Sequence, residues 1–463
     1  MPEPIRPRAV LVGVQLPGVT AEEQQGSLDE LARLVITLGY DVVGRVVQRR
    51  TSLDGSVVLG DGKLEELAAF TGGSGVVEAT RKRKPQKKDL HTPRLPGGDP
   101  SGRLDDDDDD DDGDSDDARS DQLADVVVVD HELSPLQFRN LASASGGEVL
   151  DRTGVIVEIF HRHASSREAR LQVELARLAY VAPRMRASAG GFDRAGGGVG
   201  AKGKGESQLE LDKRKIRDRV AELKAALAEI ETSRAVRRAR RREANRVALV
   251  GYTNAGKSSW MRALTGSAVL VEDKLFATLD TTVRELQPPT RPKILVSDTV
   301  GFIKKLPHDL VASFRSTLDE AAGASLLVYV VDASDPTFRA QLEVTRTVLA
   351  EIDAGDLPSM MLLNKCDRLD ADARARLAVE FPDALQVSAK DPADVTAIRQ
   401  TLIDRLAASL PEAELVVPYD RGALIGEIRE SAQVLQESYE DDGVHYRLRA
   451  DSGTLERLQG LIG

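Results

Sequence analysis

The sequence predicts an α/β multidomain chain: an N-terminal α/β domain, an antiparallel helical hairpin, a third domain with a mainly parallel sheet, and a small α+β domain at the C-terminus. Three observations carry that prediction. Strand-like and helix-like segments alternate over residues 8–70, and two long helical stretches separated by glycine follow residue 165. At residues 247–260 an apolar strand runs through a glycine-bounded loop into a helical pattern. The domains are expected at 1–164, 165–244, 245–410 and 411–463. A chain of 463 residues is too long for one core.

Composition excludes several classes. Hydrophobic residues are 41% and aromatics 4%, so the cores are expected from Val, Leu, Ile and Ala. No apolar run approaches a membrane span, and "MPEPIRPRAV" has no apolar leader core; a cytoplasmic protein without membrane insertion is expected. One cysteine, Cys366, excludes an internal disulfide and a Cys-rich zinc site. The close pair His161 and His163 lacks partners for a metal and reads as surface residues of an alternating strand. The net charge of −12 is matched by one segment, the run Asp105–Asp112 with Asp114, Asp116, Asp117 and Asp121. Basic blocks elsewhere are hidden in the total.

The N-terminal elements follow in order. "AVLVGVQL" reads as a buried strand, "SLDELARLVITLG" as a helix capped by Ser27 with Glu30 three positions on, and "DVVGRVVQRR" as a strand. "LGDGKLEELAAFTG" gives a second helix with Gly72 beyond its end, and "ADVVVVD" has the continuous apolar character of a parallel strand covered on both faces. Between them, residues 73–122 carry "RKRKPQKK" and the aspartate run. Such blocks of like charge bury too little apolar surface to offset ordering entropy, so a disordered insertion is expected.

In the hairpin, Ile216, Val220, Leu223, Leu227 and Ile230 recur at coiled-coil spacing, with Leu171, Leu175 and Leu178 to match. The tip, residues 188–207, is glycine-rich and carries Arg194, Lys202 and Lys204, cations suited to a phosphate-lined partner. Arg234, Arg237, Arg238, Arg240, Arg241, Arg242 and Arg246 end the second helix with only Glu243 to balance them locally. Contact with a phosphate backbone is the reading preferred.

"VALVGYTNAGKSSW" contains Gly251, Tyr252, Thr253, Asn254, Ala255, Gly256, Lys257, Ser258 and Ser259, the spacing of a phosphate-binding loop. Backbone N–H groups and a helix N-terminus wrap the phosphates, Lys257 reaches the β and γ phosphates, and Ser258 ligates Mg²⁺. "ILVSDTVG" puts Asp298 at a strand end, where it holds Mg²⁺ through water, and Gly301 offers its N–H to the γ phosphate. Thr299, Val300 and Phe302 complete this second switch. In "FATLDTTVREL" the first switch comprises Phe276, Ala277, Thr278, Thr281 and Thr282, with Thr282 preferred over Thr281 as the Mg²⁺ ligand. "MMLLNKCD" supplies Asn364, Lys365 and Asp367, whose carboxylate accepts the two donors on the guanine edge that adenine lacks. Ser388, Ala389 and Lys390 of "LQVSAK" close over the base. The sequence therefore predicts a P-loop domain that binds and hydrolyses GTP. Phe302 stands where many GTPases carry the glutamine that orients the attacking water, and a phenyl ring cannot do that.

With "DKLFATLD", "DTVGFI", "LPHDLV" and "VVDASDP", preceded by "ELSPLQFRNL", "DRTGVIVEIF", "LQVELARL" and "GKGESQLELDKRKIRDR", the chain resembles the HflX GTPases from about Ser27 to Lys390. The resemblance implies a factor, monomeric when free and partly ribosome-associated in the cytoplasm, that docks on the large ribosomal subunit and ribosomal RNA. Its hairpin loop, Gly190–Gly205 here, approaches the peptidyl-transferase region, and GTP is used in splitting or rescuing stalled or idle ribosomes under stress. A subunit-binding assembly or hibernation factor, with hydrolysis only a slow timer, is the alternative. Hydrolysis is implied to be slow alone and faster on the ribosome. Water is then positioned by partner-ordered backbone or by a K⁺ ion near Asn254.

The chain departs from the family pattern at "DTT", where Thr281 replaces proline. It departs again at "SSWMRAL", where Trp260 is expected to pack rather than react. The C-terminal segment reads as a helix and strands around "EDDG", with Val444, Tyr446 and Leu448 on one face of a strand.

Overall fold

Val126–Val129 is four consecutive valines, all buried, and only a strand covered on both faces can hide such a run. In the computed structural model, which describes residues 6–77, 123–189, 208–240, 245–267, 276, 282–304 and 320–462, two compact units are found, Met1–Arg152 and Thr153–Gly463.

The first unit runs β1 (Arg8–Gln15), α1 (Ala21–Thr37), β2 (Asp41–Arg49), α2 (Asp61–Thr71), β3 (Val126–Val129), α3 (Pro135–Ser145) and β4 (Glu148–Asp151). Its sheet is parallel throughout, in the order β2-β1-β3-β4. The cap of α1 is Thr20, whose side chain accepts from the Glu23 N–H while Glu23 reaches back to Thr20. Ser27, expected as the cap, lies inside the helix and donates to Asp130 at 2.7 Å. Asp130 and Glu30 both pair with Arg152, a fully buried guanidinium, with Arg152 Nη1 2.8 Å from Asp130. Gly72 ends α2 in the left-handed conformation, as its position predicts.

The break after α2 begins later than residue 73. Gly75 N–H donates to the Ala144 carbonyl at 2.9 Å, Val77 is buried, and Ala124 N–H donates to the Phe70 carbonyl at 2.7 Å. The charged remainder, residues 78–122 with the aspartate run, lies outside the described residues.

Next come α4 (Arg152–His163), α5 (Arg167–Ala189) and α6 (Gln208–Arg240). The strand expected around His161 and His163 is the last turn of α4. Val155, Ile156, Val157, Ile159 and Phe160 are all buried there, and burial on several sides overrides the β propensity of the branched residues. In the α5–α6 pair Leu223 is buried, whereas Ile216, Val220, Leu227 and Ile230 are half-buried. On α5 the deepest residues are Ala169, Gln172, Val173 and Ala176 rather than the half-buried Leu171, Leu175 and Leu178. Ser188 and Ala189 are still helical, and the tip with Arg194, Lys202 and Lys204 lies outside the described residues. Arg246, expected at the end of a helix, belongs to the strand that follows.

The remainder of the unit comprises β5 (Asn245–Val250), α7 (Lys257–Thr265), β6 (Thr282–Glu285), β7 (Ile294–Asp298), β8 (Leu326–Asp332), α8 (Phe338–Glu351), β9 (Ser359–Asn364), α9 (Ala371–Glu380), β10 (Leu385–Gln386) and α10 (Pro392–Ala408). The sheet order is β10-β9-β8-β5-β7-β6, parallel except for the edge strand β6. Trp260 is fully buried in its core with Val247, Leu249, Val296 and Val328, a packing role. Last come β11 (Glu412–Val417), α11 (Ala423–Ser431), β12 (Gln433–Glu440), β13 (Gly443–Arg449) and α12 (Ser452–Ile462). They form an antiparallel sheet β11-β13-β12 with a core that includes Val444, Tyr446 and Leu448. No helix among the described residues is long and apolar enough to cross a membrane.

Candidate nucleotide site

In the six-stranded sheet the chain leaves β5 to one side for β7 and to the other for β8, so a crevice opens at the carboxyl end of β5. The phosphate-binding loop fills it. Gly256 has φ 103°, and a Cβ there would lie 2.2 Å from Asn364 Nδ2, so glycine is required on both counts. Lys257 opens α7 and is buried, its Nζ donating to the carbonyls of Gly251 at 3.1 Å and Tyr252 at 2.8 Å. Burial pulls its pKa down to about 8, against the attraction of Asp298. An ammonium held in this way gains most when phosphate charge arrives beside it.

Ser258 Oγ lies 2.7 Å from Asp298 Oδ2, and the β6–β7 register sets Thr282 opposite Asp298. Two hydroxyls and a carboxylate are hard oxygen donors, the set that fits Mg²⁺. Bound there, Mg²⁺ supplies charge neutralisation at the β and γ phosphates.

The second switch is joined to the loop by main chain. Phe302 N–H donates to the Gly251 carbonyl at 3.2 Å and Thr253 N–H to the Phe302 carbonyl at 2.8 Å, an isolated bridge between Tyr252 and Phe302. Lys304 N–H donates to the Tyr252 hydroxyl at 2.6 Å. The Phe302 side chain is 2% exposed, so it is packing. Thr299 is fully buried with its hydroxyl donating to the Leu249 carbonyl, and Val300 is buried beside it.

The base side is equally connected. Asn364 Nδ2 donates to the Ala255 carbonyl at 2.7 Å, and its Oδ1 accepts from Ala389 N–H at 3.2 Å. Lys365, with φ 61°, donates to the Asn254 carbonyl at 2.8 Å. Ser388 Oγ donates to Asp367 at 2.7 Å, and this hydrogen bond holds the Asp367 carboxyl below its ordinary range, so it is an ionised acceptor. Lys390 N–H donates to Ser388 Oγ at 3.3 Å. Ser259 follows Ser258 on α7. Ala277, Thr278 and Thr281 lie outside the described residues, whereas Phe276 is described and buried.

Asp332 received no role from the sequence, yet it lies 2.7 Å from Lys365 Nζ and fixes that lysine beneath the loop. The available signal was the pattern "VYVVD", an apolar strand ending in Asp like "ILVSD".

Family models cover most of the chain. "GTP-binding GTPase N-terminal" matches residues 25–79 and 115–161, "GTP-binding GTPase Middle Region" matches 163–241, and "50S ribosome-binding GTPase" matches 246–365. The GTPase HflX of Gluconacetobacter diazotrophicus is 58% identical over 99% of this chain and 98% of its own length. The chain belongs to the HflX family of GTPases. The GTPase HflX of Escherichia coli (strain K12) is 39% identical over 70% of this chain and 79% of its own length. A GTP-binding protein from the hyperthermophilic archaeon Sulfolobus solfataricus, solved with GDP, aligns at 22% identity and a TM-score of 0.41 over 86% of this chain and 99% of that one. Membership in the HflX family makes the protein a GTPase in a ribosome-associated family.

Proposed function

We propose that this GTPase docks on the large ribosomal subunit and, in its GTP state, splits or rescues stalled or idle ribosomes. The observation that carries the reading is Phe302. Its ring is buried and its main chain is bridged to the phosphate loop, so no side chain at this position orients water. Hydrolysis that needs completion from outside suits a factor whose partner is its trigger. The family description "50S ribosome-binding GTPase" supports the choice of partner. In this reading Gly251–Ser259 hold the phosphates; Ser258, Thr282 and Asp298 hold Mg²⁺; and Asn364, Lys365, Asp367 and Ser388–Lys390 hold guanine. The 188–207 tip, with Arg194, Lys202 and Lys204, faces ribosomal RNA. The parts divide as 1–164, 165–244, 245–410 and 411–463.

A K⁺ ion near the exposed Asn254 is a second means of completing the site. The test is GTP turnover in potassium and in sodium, with and without purified large subunits, scoring intact ribosomes for dissociation in the same samples. Stimulation with dissociation is expected. Tight binding with neither would favour a factor that holds subunits idle, and equal turnover in the two salts would remove the cation. Replacing Arg194, Lys202 and Lys204 together weakens ribosome binding and flattens its salt dependence; intact binding would reduce the tip to a spacer.

A further inference from the structure

Thr253 is buried in the phosphate loop, 6% exposed, and its Oγ1 has no hydrogen-bond partner among the described residues. A buried hydroxyl left in this way costs free energy that a valine of the same shape would not. Polar side chains on either side of it are engaged. The Tyr252 hydroxyl accepts from Lys304 N–H, Lys257 Nζ donates to the carbonyls of Gly251 and Tyr252, and Ser258 Oγ meets Asp298. A polar side chain kept at such a cost calls for a partner that arrives with the ligand.

The position of Thr253 indicates which part of the ligand that is. A Cβ built on Gly301 would lie 2.8 Å from Thr253 Cγ2, 2.9 Å from Thr253 Cα and 3.0 Å from Lys257 Nζ. The threonine, the ammonium and the turn of the second switch therefore converge on one point. Thr253 N–H donates to the Phe302 carbonyl at 2.8 Å and is spent in joining the two loops, so the hydroxyl is the donor this residue has left. Phe302, next to Gly301, has no hydrogen-bonding group on its side chain.

We propose that Thr253 is a catalytic residue whose hydroxyl donates to a γ-phosphate oxygen of GTP. The contact fixes the γ phosphate for in-line attack, one of the tasks left open where the second switch carries phenylalanine. The proposal rests on the reading that Lys257 and Gly301 mark the γ-phosphate position. In the reaction the water oxygen bonds to the γ phosphorus, and the bond to the β–γ bridging oxygen breaks with its electron pair leaving on GDP. The water proton ends on the released phosphate. Thr253 keeps its own proton throughout and loses its partner when phosphate leaves, so GDP does not make this contact.

The test uses the full chain in Mg²⁺ and compares Thr253→Val, which keeps the branched shape against Gly301, with Thr253→Ser, which keeps the hydroxyl. Single-turnover GTP hydrolysis, affinity for GDP and for a non-hydrolysable GTP analogue, and melting temperature are measured for each. In Thr253→Val the hydrolysis rate is expected to fall about 10- to 100-fold, on the scale of one donor aimed at a reacting group. Analogue affinity should fall roughly three- to tenfold, as for one hydrogen bond, with GDP affinity within about twofold. The melting temperature should be equal or higher, because the orphan hydroxyl is gone. Thr253→Ser should recover most of the lost rate.

A Thr253→Val protein that hydrolyses GTP at the wild-type rate would overturn the proposal. Equal losses in the valine and serine variants would assign the effect to the methyl group packed at Gly301, and parallel losses for GDP and the analogue with a lower melting temperature would assign it to structure; either result overturns it. Lys257→Ala, run in parallel, separates the premise from the inference. If it abolishes the preference for the analogue over GDP while Thr253→Val is neutral, the γ-phosphate assignment stands and the role of Thr253 falls. If that preference survives Lys257→Ala but is lowered by Thr253→Val, the lysine assignment falls and the hydroxyl contact stands.

Discussion

Asn364 Nδ2 lies 2.7 Å from the carbonyl oxygen of Ala255, so the residue that begins the base-binding motif also holds the phosphate loop. The same side chain accepts from Ala389 N–H, which makes it the junction of three loops. In the proposed assignment, phosphate and base recognition share one amide, and damage to it is expected at both ends of the nucleotide.

Gly256→Ala tests that junction. The added Cβ would displace Asn364 Nδ2 and place a non-glycine residue at φ 103°. Strain of this kind costs about 1–3 kcal/mol, so affinity for GDP and GTP is expected to fall together by about 10- to 100-fold. Unchanged binding of both nucleotides by calorimetry would mean that the loop tolerates another arrangement.

Asp367→Asn exchanges an acceptor pair for an amide. Guanine then loses the charge-assisted partner for its two donors, worth about 1.5–3 kcal/mol. Xanthine, which presents an oxygen in place of the exocyclic amine, gains one. A competition experiment between GTP and xanthosine triphosphate should reverse in favour of the latter. An undiminished guanine preference would move recognition to another group.

Arg152→Met addresses stability in the first unit. It leaves Asp130, fully buried, and Glu30, 6% exposed, without their common cation. A loss of about 3–5 kcal/mol is expected from denaturant unfolding. Replacing all three by apolar residues should recover much of it, and a single substitution that proved neutral would show that water reaches the pair.

His445 gives a pH-dependent signature in the C-terminal sheet. Its hydrogen bond to Asp442 raises its pKa above the ordinary 6.5, with Glu440 and Glu414 adding attraction. Because the folded value is the higher one, its contribution to stability is complete below pH 6.5 and is lost as pH rises through the folded pKa. The same bond lowers Asp442, whose contribution is lost as pH falls through its own folded value. An NMR titration should place the imidazole above 6.5 and return it towards that value in Asp442→Asn.

The geometry of the proposed nucleotide site was legible because the chemistry expected there constrains main chain. A glycine at Gly256, a lysine opening α7 and carboxylates at strand ends are demands that neighbouring residues cannot meet in another way. The helix start near residue 20 was not legible to the same degree. Thr20 with Glu23 and Ser27 with Glu30 both fit the capping pattern, and the structure uses the first. The second pair turns inward because Ser27 meets Asp130 and Glu30 meets Arg152, partners more than 100 positions away. Local pattern carries no trace of such partners. The helix α4 was misread for the same reason, since its branched residues are buried by contacts that come from elsewhere in the chain.

Phe70 and Ala124 are hydrogen-bonded to each other, so the chain leaves the first sheet and returns to it at one place. Between those points the described residues reach Val77, buried in the same core, before the chain is next described at Leu123. For flexible connections in general, lengthening from a handful of residues to several tens costs only about 2 kcal/mol by the logarithmic law of loop entropy. Segment length there is open to evolutionary drift, and the same junction is a natural splice point. An excision of residues 78–122 with a short glycine bridge, or a graft of a foreign domain, would leave the sheet's register as it is.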